Sequence, residues 1–276
     1  MEKSTTDSEC GIFHKGEHEK CFAYTVHTAC DEHNFILGVE LFPANVHDSV
    51  MFKDIYDKVK NEFPAIEAVA VDSGYKIPYI CKQILEDARI PVMPYKRYPG
   101  KKELFRPYEF EYDRENDCVI CPYHQILRYS TTNRDGYREY KSDRKVCANC
   151  PMRLKCTQSQ NCQKTFTCHV WADYMETAEA IRHTQWGKET YKKRAETIER
   201  VFADAKEKHG MRYTTLRGKA KVTMQALLTF ACMNLKKLAI WKSRDPRFMP
   251  KSGFSFLFFV HFVLGQKTIA KNAAWA

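Results

Sequence analysis

The sequence predicts an α/β fold: a mixed sheet flanked by helices, with a cysteine-rich insertion and C-terminal helices. Three observations carry that expectation. Over residues 1–95 the patterns run strand, strand, helix, strand, helix, strand, an order that gives a sheet covered by helices. From about Lys96 to His183 that periodicity gives way to turns, tyrosines and cysteines. From Thr184 a helical period returns and holds to about residue 242. At 276 residues, 44% of them hydrophobic, the chain has material for one large domain carrying an insertion. The expected units are 1–95 as the core, 96–183 as the insertion, 184–242 as the helices and 243–276 as a tail.

The first element is "KCFAYTVHTACD", residues 20–31, where Phe22, Tyr24 and Val26 alternate onto one face. "HNFILGVELFP" follows after a short Asp-Glu turn, so the two form an antiparallel hairpin, with Asp31 as a turn residue. Pro43 to Asp48 reads as a loop, and Asp48 or Ser49 is placed to cap a helix running to about Phe63. "IEAVAVD" is a short apolar run, the mark of a central strand. A second helix covers about Pro78 to Ala88, and "IPVMPY" is another strand. After the insertion comes one long charged helix to about His209. "KVTMQALLTFACMNLKKLAIW" then forms an apolar helix, 221–241, expected to be buried nearly all round.

Charge is unevenly spread along the chain. Residues 1–72 hold 6 Lys/Arg against 14 Asp/Glu, and the other 204 residues hold 38 against 20. A basic surplus of that size favours a polyanionic partner, with nucleic acid ahead of membrane; a solvated basic surface is the competing reading. Nothing after Met1 resembles the apolar core of a signal peptide. "FSFLFFVHFVL", Phe254 to Leu264, is too short to span a bilayer. The expectation is a cytoplasmic protein without membrane attachment.

In a reducing compartment the twelve cysteines point to metal or free thiols, not disulfides. Two C-x-x-C pairs, Cys118/Cys121 and Cys147/Cys150, have the spacing of a structural zinc site, with Cys156, Cys162, Cys168 and His124 as further candidates. A zinc-ribbon interaction module is one functional reading of that region. The run "PYKRYPGKKELFRPYEFEY" interleaves bases and aromatics, which suits either single-strand contact or a solvated loop.

Two carboxylates stand out. Asp72 ends the apolar run 66–71, where open α/β sheets place their ligands, and Gly74 lets the backbone turn closely there. Glu199 and Lys206 are two turns apart on the long helix and share a face. The segment 186–221 holds 11 Lys/Arg against 5 Asp/Glu, with Arg212 and Arg217 in a loop where they could grip phosphates. A surface helix with i,i+4 ion pairs is the alternative for this segment.

Taken together, "VAVDSGYKIPYI", the cysteine-bearing segment and "YKKRAETIERVFADAKEKHGMRYTTLRGKAKV" resemble bacterial insertion-sequence transposases of the Asp-Asp-Glu (DDE) class. The resemblance is to the branch with an insertion before the final Glu, and it covers roughly residues 4–241. It implies an RNase H-like fold in which Asp72 is the second catalytic Asp and Glu199 the final Glu, both holding Mg²⁺ or Mn²⁺. Tyr191, Arg194, Glu199 and Lys206 match that family's Tyr/Arg/Glu/Lys signature, and Tyr191, Arg194, Lys206, Arg212 and Arg217 become the expected DNA contacts. The implied activity is DNA transposition and recombination: metal-dependent phosphodiester hydrolysis at element ends, then strand transfer to target DNA by a homo-oligomer. The family's first Asp sits in an Asp-Gly-Thr strand with no counterpart here, so the resemblance reads the chain as N-terminally truncated, its core lacking a first strand. A non-catalytic DNA-binding remnant is the alternative function.

Overall fold

The computed structural model describes residues 3–15, 19–96, 101 and 103–244. The apolar stretch Phe254–Leu264 and the middle of the basic-aromatic run lie outside these residues.

Strands β1 (Gly11–Lys15), β2 (Glu19–Cys30) and β3 (Ile36–Pro43) form an antiparallel sheet in that order. The β2–β3 hairpin is the one that alternation predicts, with Val26 opposite Leu41 and a register shift at Ala29/Cys30. Asp31 serves its turn, its Oδ1 accepting from the His33 and Phe35 backbone N–H groups at 2.9 and 2.8 Å. Strand pleating sends alternate side chains to opposite faces. Val26 and Val39 therefore face one way, while His27 and Gly38 face the other, toward helix α1 (Asp48–Glu62). A Cβ on Gly38 would stand 2.5 Å from Val59 Cγ2, so the bare backbone lets α1 lie close against the sheet.

Next come β4 (Ala68–Ala70), helix α2 (Pro78–Glu86) and β5 (Ile90–Val92). β4 and β5 run parallel, as a strand–helix–strand unit requires. The expected single mixed sheet is not joined. Among the described residues β4 pairs with β5 alone, and the β1–β3 ladder stands apart. Side chains link them instead: Phe52 and Tyr56 of α1, Val71, and Ile80, Cys81 and Ile84 of α2 share one buried cluster with Met93.

Where the sequence reads as turns, the chain forms a five-stranded antiparallel sheet. Its strands are β6 (Glu111–Asp113), β7 (Cys118–Ile120), β8 (Ile126–Thr132), β9 (Tyr137–Ser142) and β10 (Thr165–His169). Two short helices, α3 (Arg144–Ala148) and α4 (Arg153–Cys156), connect β9 to β10. Phe110, Val119, Leu127 and Tyr140 make the separate small core of this sheet.

Helix α5 (Ala172–His183) packs Ala178 into the cluster of α1 and α2. The single long helix expected from Thr184 to His209 is broken. It consists of α6 (Gln185–Lys192), a 3₁₀ turn at Lys193–Ala195 and α7 (Ile198–Lys208). Tyr191 and Glu199 therefore belong to different helices. α7 buries Val201 and Ala205 against Val39, Ala226 and Phe230, which seats it on the face of the β2–β3 hairpin opposite α1.

Helix α8 (Lys219–Arg244) is buried on one stripe, not all round. Val222, Ala226 and Phe230 are covered, while Met224, Leu228 and Leu235 are exposed among the described residues. At 26 residues it is about 39 Å long, well beyond the span of the eight-residue β3 on which it is anchored. Asn234 fixes its register by bonding both the N–H (2.8 Å) and the C=O (2.9 Å) of Ile36 at the start of β3. No helix among the described residues is long and apolar enough to cross a membrane.

Candidate active site

Asp72 lies just beyond the carboxyl end of β4, whose alignment with β5 extends through the Val71 N–H to Val92 C=O bond (3.1 Å). One of its oxygens has a local duty. Oδ1 accepts from the Ser73 N–H at 2.6 Å and caps the 3₁₀ turn Ser73–Tyr75. No hydrogen bond reaches Oδ2 among the described residues, and the side chain is 61% exposed.

The turn brings a second carboxylate into the site. Asp48 is not the cap of α1: His47 takes that place, its Nδ1 accepting from the Ser49 N–H at 3.2 Å. Asp48 opens the first turn, and its Oδ2 lies 2.8 Å from where a Cβ on Gly74 would stand. Gly74 is thus small because a carboxylate sits against it. On the far side, Asp48 Oδ1 is 3.8 Å from Nε2 of His27, a ring only 4% exposed. His27 Nδ1 hydrogen-bonds the Tyr75 hydroxyl. Burial holds the His27 pKa below its ordinary value, with Asp48 opposing. Burial, then Asp48 and Asp72, push the Tyr75 phenol well up, with Arg194 opposing. Asp48, Asp72 and Arg194 therefore converge on one tyrosine.

Arg194 arrives from the break between α6 and α7. Its guanidinium is largely buried, with Nη1 3.7 Å from Asp72 Oδ1 and 2.9 Å from the Tyr191 hydroxyl that accepts from it. Its Nε is buried without a hydrogen-bond partner among the described residues. Arg194 stands three residues after Tyr191 and seven before the buried Val201, so it lies on the inward stripe of this segment. Of the expected site residues, the fold joins Asp72, Arg194 and Tyr191.

Glu199, in the first turn of α7, is exposed and has no hydrogen bond or ion pair among the described residues. Lys206 is exposed about two turns further along the same helix. Arg212 pairs with Glu207, and Arg217 is exposed in the loop between α7 and α8. The i,i+4 pair that does form on α7 is Lys208–Asp204, at 2.7 Å.

Asp7, near the start of the chain, is tied down. It accepts from the Tyr24 hydroxyl (3.0 and 2.9 Å) and from the Gly218 N–H (2.9 Å), while Glu9 accepts from the Lys219 N–H (2.9 Å). The Gly218 bond is the largest cause of its lowered pKa. Gly218, at φ +88°, turns the basic loop into α8 beneath these two acids.

Carboxylate oxygens suit a hard divalent cation, which binds through one or two of them plus phosphate and water. Asp48 and Asp72, on either side of the Gly74–Tyr75 turn, offer oxygen donors of that chemistry. Among the described residues no three His, Cys, Asp or Glu side chains are grouped to hold a metal.

Residues 120–239 match a family model described as a transposase DDE domain. The match supports a DDE transposase, a class that acts on DNA and generally uses a divalent metal such as Mg²⁺. The DDE match spans Tyr191, Arg194, Glu199, Lys206, Arg212 and Arg217; Asp72 and Asp48 lie upstream of it. No curated protein matches the chain, and no solved structure does. The mixed α/β architecture is compatible with a DDE domain of RNase H-like fold.

Sequence reasoning did not find Asp48, His27 or Tyr75 as site neighbours. The local signal at Asp48, an acid opening a helix, is indistinguishable from a cap. Its partner Gly74 is 26 residues away.

Proposed function

We propose that this chain carries the DDE catalytic region of an insertion-sequence transposase, with Asp72 and Glu199 as its metal-holding carboxylates and Asp48 as a third carboxylate beside Asp72. The observation that supports this reading most is the approach of Arg194, from inside the DDE match, to Asp72, from outside it, at 3.7 Å. When bound, a divalent ion supplies charge for activating an attacking oxygen and stabilising a leaving one.

The chain's own residues do the rest. Asp72 offers Oδ2 while Oδ1 holds its turn rigid. Arg194, oriented by its bond to the Tyr191 hydroxyl, approaches Asp72 on the Oδ1 side and leaves Oδ2 to a ligand. Lys206, Arg212 and Arg217 contact phosphates, which positions DNA without reading its sequence.

A purified chain tests this reading with supercoiled plasmid. Mn²⁺-dependent nicking is expected, lost in Asp72→Asn and in Glu199→Gln, with salt-sensitive DNA binding retained in both. Alanine at Lys206 or Arg217 should reduce the slope of log affinity against log salt by about one each. Nicking that survives Asp72→Asn overturns the assignment.

The absence of a three-ligand group among the described residues favours a second reading, a DNA-binding protein without catalysis. Wild-type binding with no metal-dependent nicking selects it, and no binding at low salt removes both.

A further inference from the structure

Four thiols from three separate stretches of the β6–β10 region line one small pocket: Cys121, Cys147, Cys150 and Cys156. Cys121 ends β7 in a tight turn to β8. Its N–H bonds the Gln125 C=O at 2.9 Å, its C=O accepts from the His124 N–H at 2.8 Å, and His124 adopts the left-handed conformation at φ +54°. That turn aims the Gln125 N–H at Cys121 Sγ, at 3.3 Å. Cys147 and Cys150 bracket the end of α3 in a second turn, closed by the Cys150 N–H to Cys147 C=O bond at 3.3 Å. Cys156 closes α4 and faces both turns.

Cys118 is elsewhere, although sequence spacing pairs it with Cys121. It sits on β7 opposite Arg128, with Asp113 and Asp117 nearby, and does not line the pocket. Cys162 accepts from Arg153 Nη1 at 3.2 Å, and Cys168 turns toward the His169 carbonyl.

We infer that Cys121, Cys147, Cys150 and Cys156 form a four-thiolate site for a tetrahedral, borderline-soft dication of the zinc type. One tight turn presenting a single thiol, a second presenting two, and one cysteine from a neighbouring helix are how small loop-rich regions gather such ligands. Thiolate charge has local compensation. The Gln125 N–H points at one sulfur, and Lys164 and Arg153 line the same pocket, with Lys164 Nζ donating to the Cys156 carbonyl at 3.1 Å. The sulfurs line the pocket without being grouped at ligating distance among the described residues, so taking up the ion requires the cysteine side chains to turn inward. A sheet whose buried core is four side chains gains stability from such a cross-link.

The site stands independently of the DNA reading, and its test uses the full reduced chain. Metal-free protein titrated with Co²⁺ should take up one ion per chain, showing thiolate-to-cobalt charge-transfer and tetrahedral d–d bands that one equivalent of Zn²⁺ abolishes. With Zn²⁺ bound, alkylation should spare Cys121, Cys147, Cys150 and Cys156 while the exposed Cys21 and Cys232 react. Cys118→Ser should keep the cobalt spectrum, and Cys156→Ser should lose it, with affinity falling on the order of 100-fold or more. The inference is overturned if wild type shows no cobalt bands. It is equally overturned if the protected set contains Cys118 in place of Cys156, or if Zn²⁺ protects no thiol. The protection pattern is read on wild type, so a misfolded variant does not blunt it.

Discussion

Lys76 Nζ donates to Glu179 Oε2 at 2.7 Å and to the Pro94 carbonyl at 2.9 Å, with only 7% of the lysine side chain exposed. The pair links the turn that carries Asp72 to α5. Burial raises the Glu179 carboxyl, but bonds from Arg182 and Lys76 outweigh it and hold the pKa at about 2. A lowered folded pKa stabilises at pH above the unfolded carboxyl value, and that stabilisation is lost as pH falls toward 2. Lys76→Met should cost roughly 1–3 kcal/mol near neutrality, since a partly buried carboxylate loses its partner. Denaturant melts at pH 7 and pH 3 check this: the gap between wild type and variant should shrink at the lower pH.

His27 makes a separate acid-sensitive contribution. Its folded pKa lies below the ordinary value because it is buried, so the unfolded chain takes up the proton first. Stability is therefore greatest above about pH 6.5 and declines as pH falls through the folded value. His27→Gln should flatten the stability profile between about pH 7 and 5 relative to wild type. An unchanged profile would show that Asp48 and Tyr75 already accommodate the charged ring.

Gly74→Ala separates site geometry from folding. The new Cβ meets the end of the Asp48 side chain at 2.8 Å, a group able to swing away. The expected cost in stability is below about 1 kcal/mol, because no rigid group is struck. Mn²⁺ affinity, read by paramagnetic relaxation of water, should nonetheless fall as the Asp48 carboxylate leaves Asp72. Unaltered affinity would remove Asp48 from the site.

Gly38→Ala should behave in the opposite way. Its Cβ strikes Val59 Cγ2 at 2.5 Å inside the α1–sheet contact, where neither side can yield freely. Destabilisation of about 1–3 kcal/mol is expected. Pairing it with Val59→Ala should restore part of the loss, measurable as a double-mutant coupling.

These sites differ in how far the sequence announces them. The β2–β3 hairpin, α1, α2 and β5 are legible because their burial follows a local period, as Val26 with Val39 and Phe52 with Tyr56 demonstrate. The place of Asp72 just beyond β4 is legible from the apolar run before it. The 3₁₀ break between α6 and α7 is not, because Lys193–Thr197 contains no Pro or Gly and carries helix-favouring charges. β6–β10 escape because their strands are short and half exposed, so no alternation builds up: "ILRYSTT" of β8 buries Leu127 alone. Cys156 joins Cys121 through folding in three dimensions, which a C-x-x-C spacing cannot encode.

The acids Asp7 and Glu9 carry a final consequence. The first backbone N–H groups of a helix are a natural berth for an anion, and a helix opening beside a basic loop would ordinarily offer that berth to a phosphate. Here Gly218 and Lys219 already give those hydrogens to Asp7 and Glu9. The chain has filled the berth with its own carboxylates. Any polyanion reaching this loop must be held by the flexible arms of Arg212, Arg217 and their neighbours, a grip that salt loosens readily.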